Sequence, residues 1–186
     1  MKRRVLLQVA ATAPLLGGLA CRATALGTTQ SQQTGPYYPV EPIPLRNDLL
    51  LSEDYAGEEL ILRGKVLALD AGTLANVRVE IWQCDANGVY PHPNAPGQEN
   101  FDAAFAGQGA TITDASGSYN FRTLMPVPYT GRPPHIHVRL KTNRRTLLTT
   151  QLYLRDSGGP VSLKIDADST NRDKSFEAHF DFTVAV

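Results

Sequence analysis

Tyr129, Arg132, His135 and His137 lie close together in the stretch VPYTGRPPHIHVRL (127–140). Histidines at i and i+2 project from one face of an extended strand. Ile136, Val138 and Leu140 then take the other face and can pack into a core. Two imidazoles on one face, with a phenol shortly upstream, are placed to converge on one metal ion. Paired histidines also take up zinc or copper, so this local pattern leaves the metal open. The phenol narrows it. A neutral phenol is a poor ligand, but a strongly Lewis-acidic ion deprotonates it, as coordination does to thiols and water. Anionic oxygen suits hard ferric iron, whereas Zn(II) prefers Cys, His and carboxylate. A second tyrosine must come from elsewhere, and Tyr90 is the candidate. The segment VRVEIWQCDANGVYPHP (77–93) runs a strand through Gln83 and a turn at Asp85–Gly88 before reaching it.

The elements that would hold these residues are short and extended. Strands are expected at Leu60–Leu69, across the alternation of Val77, Val79 and Ile81, and at Ser118–Thr123, His135–Leu140 and Leu147–Leu154. A last apolar stripe of period two runs through Phe176, Ala178, Phe180, Phe182 and Val184. In that reading Arg78 and Glu80 are the solvent side of a half-buried strand. No segment past the N-terminus sustains a helical apolar period. Strands at regular spacing, separated by turn residues, indicate an all-β fold: an antiparallel β-sandwich with long active-site loops and little helix. The Gly- and Pro-rich stretch from Pro91 to Gly109 reads as such a loop.

The chain has 186 residues, enough for one domain with a real core. Its formal net charge is zero, but residues 1–25 hold four basic residues and no acid. The remainder carries 14 basic against 18 acidic residues, a net of −4. That balance excludes a broad electrostatic footprint for nucleic acid or an anionic membrane. Residues 1–25 read as an export signal: Lys2, Arg3 and Arg4, then an apolar run from Val5 to Ala20, then Ala23-Thr24-Ala25 as a cleavage site. Arg3-Arg4 followed by Val5-Leu6-Leu7 is twin-arginine-like, so a periplasmic or extracellular location is expected. Leu19-Ala20-Cys21 loosely matches a lipoprotein box, and a membrane attachment is expected only if Cys21 is lipidated. Cleavage after Ala25 leaves Cys84 as the sole cysteine, so no internal disulfide supports the fold. Residues 26–36 read as a polar, flexible leader, and 37–186 as the domain.

Taken in order, GPYYP (35–39), VEIWQCDANGVY (79–90), TDASGSYNFRTLMPVPY (113–129), GRPPHIHVRL (131–140) and LTTQLYL (148–154) resemble the intradiol ring-cleavage dioxygenases. These are the catechol 1,2- and protocatechuate 3,4-dioxygenases. The resemblance implies a non-haem Fe(III) centre with Tyr90, Tyr129, His135 and His137 as ligands. It implies Arg132 as the active-site arginine and Gln151 as the glutamine beside the substrate. It further implies a catecholic substrate, cleaved with O2 between its hydroxyl-bearing carbons to a muconate-type diacid, with Tyr129 as the tyrosinate that yields to substrate. The short stretch between the expected signal and GPYYP points to a minimal core of this family, and a homo-oligomer is compatible with it. The alternative is an exported, noncatalytic sandwich that binds phenolics or carbohydrate. Among the other candidates, Trp82 reads as core, Tyr119, Tyr153 and Cys84 as packing residues, and Tyr37 and Tyr38 as pocket mouth or surface. His92 and His179 read as solvent-facing or structural.

Overall fold

A computed structural model describes residues 27–170 and 175–186. The expected export signal and Cys21 lie outside the described residues. Among the described residues eleven strands follow in order: β1 Glu59–Ala68, β2 Gly72–Thr73, β3 Arg78–Trp82, β4 Gln108–Ile112, β5 Ser118–Leu124, β6 His135–Lys141, β7 Thr146–Leu154, β8 Lys164–Ile165, β9 Ala167–Thr170, β10 Ser175–His179 and β11 Phe182–Val184. Among the described residues the helical content is two 3-10 turns, Gln98–Asn100 and Val161–Leu163. The all-β expectation therefore holds.

Two sheets form. One runs β11-β1-β10-β9, with β2 and β5 also paired to β1; the other runs β4-β3-β6-β7-β8. The sheets are mixed rather than purely antiparallel. β1 pairs β10 and β11 in parallel, and β7 pairs β8 in parallel. Antiparallel neighbours need only a tight turn, whereas parallel ones need a long crossover. Most of the domain serves as that crossover between β1 and β10.

Alternation dictates the core. β1 buries Leu60, Leu62, Val66 and Ala68, every second residue. β3 and β6 send Val79, Ile81, Ile136, Val138 and Leu140 into the same core, where Phe121, Leu152 and Phe182 meet them. Burying a side chain of this kind contributes about 2 kcal/mol. The apolar face of β6 thus anchors the strand and leaves its opposite face for other work. That opposite face is also covered. Glu80, placed on the solvent side by the sequence reading, is only 2% exposed. Tyr38 Oη donates to it (3.0 Å), and Arg78 Nε (2.7 Å) and Lys141 Nζ (3.4 Å) flank it. The covering layer comes from residues around 37–46, which a strand-by-strand reading leaves unassigned.

The C-terminal stripe is two strands, not one. Phe180 lies between them and bulges over β1: its N–H donates to Arg63 O (2.9 Å), and its O accepts from Tyr119 Oη (2.7 Å). A Cβ at Gly64 would lie 1.8 Å from Phe180 O, so the crossing requires glycine. The strand Gln108–Ile112 was read in part as loop.

Residues 27–36, expected as a flexible leader, are hydrogen-bonded to the domain. Thr29 pairs with Thr183, and Gln32 N–H donates to Thr149 O (2.8 Å).

Candidate metal centre

Strand register assembles the site. β6 lies between β3 and β7, with His137 opposite both Trp82 and Gln151, and His135 opposite Tyr153. Residues opposite each other in an antiparallel pair share a face. Trp82, His135, His137, Gln151 and Tyr153 therefore line one face of this sheet, away from the main core. Trp82 stacks on His137 with ring centroids 4.8 Å apart and planes 8° from parallel. This stack fixes the imidazole plane.

The tyrosines arrive on loops. Asp85, almost fully buried, organises the turn before Tyr90. Its Oδ1 accepts from Asn87 N–H and Val89 N–H (both 2.9 Å), and its Oδ2 accepts from Asp102 N–H (2.9 Å). Tyr129 and Arg132 face each other across a two-residue turn, Thr130-Gly131, with mutual backbone hydrogen bonds of 3.2 and 2.7 Å. Both turn residues have positive φ (39° and 74°), as a primed hairpin turn demands. Tyr90 and Tyr129 then meet edge to face at 5.2 Å. Tyr129 lies 5.6 Å from His135, and Tyr90 lies 6.3 Å from His137, centroid to centroid.

The polar atoms converge. His135 Nδ1 lies 2.7 Å from Pro133 O, which can only accept, so Nδ1 carries the proton and Nε2 presents a lone pair. That lone pair points at His137 Nε2, 3.2 Å away. Burial depresses both imidazoles, His135 to about 4 and His137 well below its ordinary value, so both are neutral near pH 7. Burial raises the Tyr90 phenol above its ordinary value, with Cys84 and Tyr129 adding to the effect. It also raises Tyr129, where Arg132 works in the opposite direction. The Tyr90 hydroxyl is buried without a hydrogen-bond partner. Two neutral imidazole nitrogens and two phenols, one with an orphaned oxygen, therefore face one another in a largely buried setting. Such phenols ionise only beside a strong cation, so this donor set fits a hard, highly charged metal ion. Among the described residues no group of three or more His, Cys, Asp or Glu is placed to hold a metal.

Arg132 and Gln151 form the second part of the site. Arg132 donates to Gln151 Oε1 at 2.6 Å, and Tyr153 Oη donates to the same oxygen at 2.9 Å. All six residues singled out in the sequence are thus brought together. Several others join them. Tyr153, read as packing, holds Gln151; its i+2 spacing from Gln151 is the signal that places it there. Tyr37 packs on Tyr90 at 5.0 Å, so the GPYYP segment is part of the cluster. His92 is buried; its Nδ1 accepts from Asn94 N–H (3.1 Å) and its ring sits 5.6 Å from Tyr37. His179 pairs with Asp181 (2.9 Å) at the surface. Cys84 is buried, which raises its thiol to about 11.

Comparison with known proteins agrees with this arrangement. A family profile described as Dioxygenase matches residues 33–172. The chain is 34% identical over 134 residues to the protocatechuate 3,4-dioxygenase beta chain of Burkholderia cepacia, covering 65% of this chain and 57% of that one. It is 32% identical over 127 residues to catechol 1,2-dioxygenase of Acinetobacter baylyi, covering 59% and 39%. The matches thus span less than two thirds of these relatives' lengths. Among solved structures, the dioxygenase domain of a dioxygenase–carbohydrate-binding protein fusion from Streptomyces sp. SirexAA-E superposes with a TM-score of 0.73 at 30% identity. That match covers 86% of this chain and 99% of that one. The fold, the clustered tyrosines and histidines and these likenesses together make the chain a member of the intradiol ring-cleavage dioxygenase family.

Proposed function

We propose that this protein is a non-haem Fe(III) enzyme that opens a catechol between its two hydroxyl-bearing carbons with O2, giving a muconate-type dicarboxylic acid. The observation that carries the reading is the orphaned, buried Tyr90 hydroxyl beside two facing histidine Nε2 atoms. Tyr90, Tyr129, His135 and His137 would hold the iron, which when bound supplies the Lewis acidity that makes phenolate and catecholate forms accessible at neutral pH.

The chain's own groups divide the remaining work. Tyr90 is 2% exposed and packed by Tyr37, so it stays in place. Tyr129 is half-buried on a hairpin turn, and is the phenol able to swing out and carry a proton taken from the substrate. Arg132 is permanently charged, and Gln151 Oε1 aims its guanidinium. It orients the substrate and stabilises negative charge developing on it.

Iron loading tests the reading. The loaded protein should be red-brown from tyrosinate-to-iron charge transfer, change colour with catechol under anaerobic conditions, and consume O2 as a muconate-type acid forms. A colourless protein retaining zinc or copper would overturn it. We also propose export, on the basic and apolar pattern of residues 1–25. Fractionation of expressing cells that left all protein in the cytoplasm would refute that.

A further inference from the structure

Residues 27–36 belong to no strand, yet hydrogen bonds hold them along the domain. Thr29 N–H donates to Thr183 O (2.7 Å), and Thr29 Oγ1 accepts from Thr183 N–H (2.8 Å). Gln30 O accepts from Thr150 Oγ1 (2.7 Å), and Gln32 N–H donates to Thr149 O (2.8 Å). Thr34 Oγ1 accepts from the Arg139 guanidinium (2.9 Å). These bonds use the segment's backbone and threonine hydroxyls rather than apolar side chains, which is why a polar stretch with no apolar pattern can be held.

The last part of this segment reaches the site. Gln33 O accepts from Gln151 Nε2 at 2.9 Å. A carboxamide has one donor end and one acceptor end. Because Gln33 O takes the donor end, the oxygen is left to face Arg132. If the amide were flipped, its NH2 would confront the guanidinium, donor against donor. Gly35 follows with φ +78°, and a Cβ there would lie 3.0 Å from His137 Cε1. Gln32, Gln33, Gly35 and Pro36 then line a pocket of about 390 Å³ together with Arg132, Gln151 and Tyr153.

We propose that residues 27–36 are a working part of the active site: a strap whose Gln33 carbonyl sets the sense of the Gln151 amide and, through it, the aim of Arg132. It is a positioning element, since it acts on Arg132 through Gln151. It rests on the catechol reading for its substrate, but its link to Gln151 is independent of that reading.

The test uses two full-length double variants that leave Arg132, Gln151 and the metal donors themselves unchanged. Thr29→Val/Thr34→Val removes both hydroxyl anchors at constant shape; Thr29→Ser/Thr34→Ser keeps them. Each lost hydrogen bond weakens docking by roughly fivefold. In the valine pair, amide exchange at Thr29 and Gln32 should accelerate about tenfold or more. The Gln151 side-chain NH2 signals, followed by NMR in metal-free protein, should lose their dispersion. The kcat/KM of the iron-loaded enzyme should fall by about tenfold, and the serine pair should match wild type in all three. In an Arg132→Ala background the valine pair should cost nothing further, which a merely structural role would not produce. Three results would overturn the strap: unchanged exchange in the valine pair, a released strap with unchanged Gln151 signals, or an equal loss in the Arg132→Ala background. A wild type that turns over no catechol would sink the reaction alone, because the exchange and Gln151 measurements would still decide the strap.

Discussion

Replacing Tyr90 by Phe should make the metal-free protein more stable and the iron site worse. Tyr90 is 2% exposed, and its hydroxyl is buried with no partner. A buried hydroxyl left unpaired costs about 1–3 kcal/mol. The substitution removes that oxygen and keeps the ring, so the packing against Tyr37 at 5.0 Å and Tyr129 at 5.2 Å survives and no cavity opens. At roughly 2–4 °C per kcal/mol for a domain of this size, the melting temperature should rise by about 2–12 °C. The assay is calorimetry on chelator-treated wild type and variant, followed by iron titration monitored by visible absorbance. The variant should melt higher without iron, and should lose both the iron-induced rise in stability and most of the charge-transfer band. A metal-free variant melting at or below wild type would show that the hydroxyl is satisfied in the folded protein, and the argument for a metal at this point would fail. A variant with an undiminished band would remove Tyr90 from the ligand set.

Acid should destabilise the metal-free protein. His135 has a folded value of about 4 against an ordinary 6.5, so the unfolded chain binds the extra proton between these values and stability falls as pH drops through that window. His135 alone contributes about 3 kcal/mol to that loss, and His137 shifts the same way; urea unfolding from pH 7 to pH 4 measures it, and a flat profile would contradict the burial of neutral imidazoles. Arg132→Ala should keep the iron colour while kcat/KM falls by about 100-fold, as the loss of one charge-stabilising donor does elsewhere; normal turnover would refute its role. Glu80→Gln should cost about 2 kcal/mol, because Arg78, Lys141 and Tyr38 lose a charged acceptor. A shift in the urea midpoint with an unchanged slope is the readout. Gly35→Ala should strain a backbone at φ +78° and press on His137, broadening or shifting the charge-transfer band at a cost of about 1–2 kcal/mol in stability.

The parts of the site legible in the sequence were those set by strand alternation and by motif. His135 and His137 share a face because β6 is a strand, and its apolar partners are the three residues an alternating pattern names. Tyr129 was legible from its spacing to the two histidines, whereas Tyr90 needed the resemblance, since nothing local says that its loop meets the other. Glu80 was misjudged because a pattern reports one face of one strand, whereas a second layer laid over that face is a tertiary event. The strand β4, with sequence QGATI, escaped because its small residues carry no alternation of large apolar side chains. The parallel partners of β1 were invisible because pairing direction is a property of the connection, not of the strand. Residues 27–36 were misjudged through composition, which reports the lack of an apolar face and is silent about backbone hydrogen bonds.

The place of β1 in its sheet governs how the molecule is made. Leu60 sits beside Phe176 and Val66 beside Phe182, so the central strand finds its parallel neighbours only in the last part of the domain. Contacts of such long range place the protein among slow folders. At ribosomal speeds of roughly 5–20 residues per second, β1 waits on the order of ten seconds for β10 and β11 to appear. During that wait one edge of an apolar strand, with Leu60, Leu62 and Val66 on its inner face, stands open to any other nascent chain. Yield during synthesis should therefore depend on a holding chaperone far more than the stability of the finished sheet would suggest.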